Sequence, residues 1–315
     1  MSEPSHPPVQ SLHTEGVYKS SKPVAELFSD LKALASVDKE AEKQVKTMQT
    51  LGYVGIGAVV CSVFVCMASG VFVYVAWGFV VGGIVLNRWA AAREKVHEKE
   101  DFPDHRYIIC EKLTRLLSAD MSSDSLLNTM INLKEKPDFP AQVKEGNNGK
   151  ATWKSLNTAD QFLQLDGRLV DGTKFDFGLT EKVDAYGEHF TYRSMSGKTK
   201  IKLKARKRVQ WAATLRLRFK EKRYANAPSE VSQIEQLIQL PDGSKLKKLE
   251  ATDQELVLTA VSAPTKIRNK IKGSHDIPAA WKAMSIDSKT TDGIGSFSAQ
   301  LFLGLYQALN TPKTT

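Results

Sequence analysis

Three cysteines in 315 residues are few. Cys61, Cys66 and Cys110 show no paired spacing, which excludes a disulfide framework and fits a reducing cytoplasm. The first 50 residues lack an apolar core of roughly 7 to 15 residues, so no secretory signal is read there. Catalytic constellations are scarce as well. His275 and Asp276 adjoin in sequence, whereas a triad draws its members from separated positions. The run GIGSFSAQ places Gly295 and Ser296 at an expected helix start, without the spacing of a nucleophile elbow or a phosphate-binding loop. No paired carboxylates stand out. His97, Asp101, Asp104 and His105 form the one His/carboxylate cluster, but Pro103 scatters the helical spacing that a metal site would use. A solvated turn is the simpler reading. The sequence therefore calls for no catalytic residue, no metal and no cofactor.

Against these absences stands one long run without charge. Residues 51 to 86 contain no Asp, Glu, Lys, Arg, His, Asn, Gln or Pro. A bilayer core of about 30 Å needs roughly 20 helical residues. One helix of this length would reach about 54 Å at roughly 1.5 Å per residue, too long for a single pass. Split near Ala68-Ser69-Gly70, the run makes two spans of about 17 residues each, at the lower limit for crossing. Lys43 and Lys46 precede it, and Arg88, Arg93 and Lys95 follow. The positive-inside rule then puts both flanks in the cytoplasm, with Tyr53 and Trp89 at the same interface. The expectation is an integral, multi-pass membrane protein: a two-helix transmembrane hairpin with both termini cytoplasmic. No ionisable residue lies inside the run, which argues against a transporter or proton relay.

Residues 1 to 23, rich in Pro and Ser, predict a disordered N-terminus. From 24 to 50, Val24, Leu27, Leu31, Leu34, Val37, Ala41, Val45 and Met48 recur every three or four residues, with Asp38 outside the stripe. This predicts an amphipathic helix of coiled-coil-like spacing, either a self-association stalk or a helix packed on its own domain. The hairpin is assigned residues 51 to 88. Residues 89 to 160 read as juxtamembrane helices and a linker, with an apolar helical stretch over 126 to 133 and a loop over 134 to 160. Beyond Gln161 the apolar period shortens to two. Strands follow around Asp171-Gly172, over 189 to 193, on either side of Pro241-Asp242-Gly243, and over 255 to 261. A helix over 296 to 309, capped by Ser296, closes the chain. The fold class is α+β: an N-terminal amphipathic helix, the hairpin, and a cytoplasmic antiparallel sheet domain of residues 161 to 315 flanked by helices.

One strand stretch differs from the rest. Ile201, Leu203, Ala205, Val209, Trp211, Ala213, Leu215, Leu217 and Phe219 fall on odd positions, and Lys202, Lys204, Arg206, Arg208, Arg216, Arg218 and Lys220 on even ones. Successive strand residues face opposite sides, so one face is apolar and the other basic. Lys207 is the odd-numbered exception. The stretch holds no Gly, Pro, Asn or Asp, which favours one long bent strand or two joined by a bulge. Between Lys198 and Arg223 there are twelve Lys or Arg and one acid, Glu221. Ordinary outer faces mix signs, so the seven even-numbered cations are read as an anion-binding surface. Residues 265 to 273 add a second basic patch.

An antiparallel run closed by a C-terminal helix is loosely similar to a pleckstrin-homology-like fold, which a basic strand face would suit; no residue role is carried over from it. Three functions are weighed. The first is a non-enzymatic, membrane-anchored scaffold or assembly component that self-associates and docks its basic sheet on a partner or the membrane. The second is an anionic-lipid-binding module. The third is a membrane-bound enzyme acting on a lipid or acidic substrate. Anionic headgroups are the favoured partner, because each Lys or Arg near a charged leaflet contributes about 1 kcal/mol. Nucleic acid ranks lower, because Trp211 and Phe219 share the apolar parity and leave no stacking aromatics on the basic one.

Overall fold

The alternating half of the chain builds strands that join into one antiparallel sheet. The computed structural model describes residues 16–68, 73–97, 102–133, 142–147, 151–193, 199–220, 224, 231–267, 277, 281, 284 and 286–310. In chain order these form β1 (Val17–Pro23), α1 (Val24–Ala68), α2 (Val73–His97), α3 (Asp104–Ser118), β2 (Leu126–Asn132), β3 (Gln142–Asn147), β4 (Ala151–Arg168), β5 (Lys174–Arg193), β6 (Thr199–Arg218), α4 (Val231–Leu237), β7 (Lys245–Ala251), β8 (Glu255–Val261), β9 (Thr265–Ile267) and α5 (Ser288–Asn310). Two compact units result. A helical unit takes Ser29–Asp104, and a sheet unit takes Gly16–Phe28 and the chain from His105 onward.

Several elements differ from the sequence expectation. Residues 17 to 23 are a strand rather than disordered, because the whole of β1 is laddered against β2 from Val17↔Asn132 to Pro23↔Leu126. Residues 126 to 132, read as helical, are that partner strand. Much of the expected loop over 134 to 160 is β3 and β4. The stretch before Pro241 is the short helix α4, although the turn itself forms, with Gly243 at φ 76°. Helix α5 starts eight residues before Ser296: Asp287 is its cap, its Oδ1 accepting from Thr290 N at 2.8 Å, so Ser296 and Gly295 lie in the helix interior.

In the helical unit the stripe of α1 runs through Leu31, Leu34, Asp38 and Ala41, all buried. Asp38 thus belongs to the stripe it was expected to avoid, where its Oδ1 accepts from Phe102 N at 2.7 Å. Val24–Phe64 is long and apolar enough to cross a membrane, and 11% of its apolar window is buried. Helix α2 touches α1 in opposite order along the chain. Gln49 Nε2 donates to Glu94 Oε1 (2.9 Å) and Asn87 Nδ2 to Gly52 O (3.1 Å). At Gly55 and Gly83 a Cβ on either would sit 2.8 or 2.6 Å from the other's carbonyl oxygen, so only glycine allows this approach. Most of the turn expected at 68 to 70 lies outside the described residues.

In the sheet unit the strand order is β1-β2-β4-β5-β6-β8-β7, with β3 also on β4 and β9 also on β6. The β5–β6 ladder keeps one register from Lys174↔Arg218 to Arg193↔Thr199. The long basic stretch is therefore one strand of 20 residues without a bulge. The irregularity falls on β4 instead, between Gln161 and Leu163, and it turns both Phe162 and Leu163 inward. Phe175, Phe177, Leu179, Ala213, Leu215, Leu217, Leu256 and Leu258 bury one sheet face. Phe302 of α5 meets Phe175 and Phe177 there, with ring centres 5.9 and 5.2 Å apart. Farther along, Ile277 and Trp281 cover Ala185, Leu203 and Ala205. The β4–β5 turn forms as expected around Gly172 (φ 87°), and Asp171 there accepts from the hydroxyls of Thr173, Tyr224 and Tyr306. Burial works to raise the Asp171 carboxyl, but the bonds from Tyr224, Thr173 and Tyr306 hold it below its ordinary value.

Candidate anion-binding cleft

Strand β6 keeps the parity read from its sequence. Val209, Trp211, Ala213, Leu215 and Leu217 are buried, while Lys204, Arg206, Arg208 and Arg218 are exposed. Residues 207 and 208 lie about 26 Å from 215 and 216 at roughly 3.3 Å per residue. Neighbouring strands divide the basic row into two ends with different electrostatics.

At the Arg218 end the charges are neutralised. Glu255 of β8 accepts from Arg218 Nε at 2.9 Å and lies 3.4 Å from Arg216 Nε. Asp176 of β5 stands directly opposite Arg216. Lys220 is exposed beyond the strand, and the Lys202 side chain lies outside the described residues. Lys204 stands opposite Glu188, with its ammonium 4.4 Å from the Phe190 ring centre.

At the Arg208 end the balance differs. Strand β9 pairs here and sets Lys266 directly opposite Arg208. Lys266, from the second basic patch, thus becomes a neighbour of a β6 cation far from it in sequence. Lys144 of β3 faces the same cleft, which has a volume near 590 Å³ and whose polar floor is Ser155, Asn157, Asp184 and Tyr186. Asp184 is the one carboxylate lining it among the described residues. Neither it nor Lys144, Arg208 or Lys266 forms an ion pair with another described residue. Asp184 stands directly opposite Arg208 on β5 and Lys266 directly opposite it on β9. Like charges so placed destabilise a sheet, and an anion seated between Arg208 and Lys266 would reduce that cost. Lys207, the parity exception, borders the cleft but does not aim its ammonium into it. It faces the other side, where its Nζ donates to Met284 O at 3.4 Å.

Aromatics do share the basic side, contrary to the expectation from parity on β6 alone. Trp153 of β4 stacks on Tyr186 of β5, with centres 6.3 Å apart, and the Arg206 guanidinium lies 4.7 Å from the Tyr186 ring centre. A Cβ at Gly146 of β3 would lie 2.7 Å from the Trp153 ring. Tyr186 is flanked by Trp153 and Arg206, and Trp153 by Tyr186 and Gly146. Tyr186, between Trp153 and Arg206, is thus already engaged in stacking contacts.

Behind the cleft's strands lies a buried polar layer that sequence reading missed. Asp160 of β4 and Glu181 of β5 stand directly opposite each other and face inward. Arg106, from the first turn of α3, joins them: its Nη2 lies 2.7 Å from Asp160 Oδ2 and 3.2 Å from Glu181 Oε2, and its Nη1 donates to Asn132 O at 2.8 Å. Asn132 Nδ2 donates to Asp160 Oδ1 at 3.0 Å, and His105 Nε2 lies 3.5 Å from Glu181 Oε2. Burial works to raise the Glu181 carboxyl, but His105, Arg106 and Lys207 outweigh it and hold it at about 2. The signal available in sequence was Glu181 on the apolar parity of Phe175, Phe177 and Leu179. His105 is thus turned toward Glu181, while Asp101 and the His97 side chain of the suspected cluster lie outside the described residues. Among the described residues no group of three or more His, Cys, Asp or Glu could hold a metal ion. No family model, curated protein or solved structure matches this chain.

Proposed function

We propose that this chain is a non-enzymatic, membrane-anchored scaffold whose sheet domain docks through the Arg208 cleft on anionic lipid headgroups. The observation that carries the reading is the meeting of Arg206 and Arg208 with Lys266 and Lys144 around one carboxylate, in a cleft of ligand size. Anchoring rests on the charge-free run and on its exposed apolar surface. Tyr53, Ile56, Phe64, Trp77, Phe79 and Trp89 all face outward on α1 or α2, which is costly in water and favourable in lipid. Two passes with both flanks cytoplasmic follow from the Lys and Arg at each end. Tethering would hold the cleft near a negatively charged leaflet, and self-association through residues 24 to 50 would multiply weak headgroup contacts.

The test uses the full chain in neutral-lipid nanodiscs and measures capture of neutral or anionic vesicles. Anionic vesicles should be retained and neutral ones not. The variant Arg206→Glu, Arg208→Glu, Lys266→Glu should lose retention. Arg216→Ala with Arg218→Ala, at the neutralised end, should keep it. Equal loss in both variants would mean that general charge, not the cleft, does the binding.

A further inference from the structure

The cations of the cleft fall into two groups. Arg206, Arg208 and Lys266 gather on β6 and β9, whereas Lys144 stands on β3. Three strand spacings of about 4.8 Å put the Lys144 and Arg206 backbones roughly 14 Å apart, a separation that one phosphate does not bridge. The neighbouring floor is of the opposite character. Asn157 and Asp184 stand directly opposite each other on β4 and β5. A carboxylate there repels a phosphate placed over it and accepts hydrogen bonds from hydroxyls. In register, Ser155 and Tyr186 separate Lys144 from Arg206. The neighbouring row on the same face runs Asn157, Asp184, Arg208, so the hydroxyl-accepting pair adjoins the Arg208 group on the side toward Lys144.

We infer that the cleft takes a polyol bearing two phosphate groups, one held by Arg206, Arg208 and Lys266 and the other by Lys144, with its hydroxyls on Asp184 and Asn157. The inference rests on the anion-docking reading and narrows its ligand. A nucleotide is disfavoured because Tyr186 is already engaged by Trp153 and Arg206. A uniformly charged anion would meet Asp184. The same chemistry is available from a phosphorylated lipid headgroup or from a free polyol phosphate.

The test is calorimetric titration of the full chain in neutral-lipid nanodiscs with inositol 1,4-bisphosphate, pyrophosphate and inorganic phosphate. Alongside it, vesicles bearing a phosphorylated inositol lipid are compared with phosphatidylserine vesicles of matched charge. The bisphosphate should bind at least about tenfold more tightly than inorganic phosphate, and Lys144→Ala or Arg208→Ala should each cost about tenfold. Asp184→Ala should erase the preference for the bisphosphate over pyrophosphate. Arg208→Ala removes a like-charge neighbour, Lys266, together with an opposite-charge one, Asp184, so it should weaken binding with little change in thermal stability, which separates a ligand contact from a folding defect. Tight binding of the soluble probe assigns a free ligand. Preference seen only with the phosphorylated-lipid vesicles assigns a headgroup. Equal affinity for phosphate and bisphosphate, together with vesicle capture that follows charge alone, would overturn the inference and leave the docking reading in place. Failure of every anion to bind would overturn both.

Discussion

Arg106 decides whether the sheet unit can keep two acids inside. Asp160 and Glu181 face each other across adjacent strands with a single guanidinium between them. Removing one member of such a buried network costs about 3 to 5 kcal/mol, because the charge left behind has no water to turn to. Arg106→Met should therefore lower the unfolding free energy by an amount in that range, read from chemical denaturation. Adding Glu181→Gln to Arg106→Met should recover part of the loss, since one of the two stranded carboxylates is gone. The same group sets an acid limit. Glu181 sits at about 2 when folded against an ordinary value of 4.5. Its contribution is complete above about pH 4.5 and is lost as pH falls toward 2, where the folded form too takes up the proton. Thermal stability measured across that window should fall less steeply in Glu181→Gln than in the wild type.

At the scale of elements, unbroken hydrogen bonding outran local signals. Strand β6 needs no bulge because β5 runs beside it for all 20 residues, and the irregularity falls on β4, where two adjacent side chains must turn inward. In the same ladder Gly187 has a packing reason: a Cβ there would lie 2.2 Å from Ile277 Cγ2. Helix α1 runs without a break from the amphipathic stripe into the charge-free run, so the two segments are one rod. Cys61 lies exposed on that rod, whereas Cys110 of α3 is buried and its thiol is pushed up to about 12 by burial. With Cys66 replaced by Ser, a water-soluble maleimide should label Cys61 quickly in denaturant and slowly in nanodiscs, where lipid covers it. Fast labelling in nanodiscs would place this part of α1 in water. Cys110 should resist in nanodiscs, where the thiolate that reacts is scarce and buried, and label only once the fold is lost in denaturant.

For the whole molecule, the net charge of +9 is a coarse number that hides an uneven distribution. Cations at the Arg218 end are spent on Glu255, while those at the Arg208 end meet one carboxylate and one another. Vesicle capture should weaken as salt rises from 50 to 500 mM, roughly as the Debye length shrinks from about 14 to 4 Å. The Arg216→Ala, Arg218→Ala variant should show the same salt slope as the wild type. A shallower slope in that variant would mean that the Arg218 end also meets the membrane.

Properties that depend on the order of residues along one segment were legible in the chain. The charge-free run, the alternation of β6, the Asp171-Gly172 turn and the strand at 255 to 261 all follow from local periodicity and turn chemistry. Strand β1 was not, because its residues look polar and become a strand through partners more than a hundred positions away in β2. Nor was the division of the basic row, since Glu255, Asp176 and Lys266 reach β6 only through pairing, and charge acts through space rather than along sequence. The inward acids hid for the same reason: Glu181 looks like a surface residue until Arg106 of another element is brought beside it.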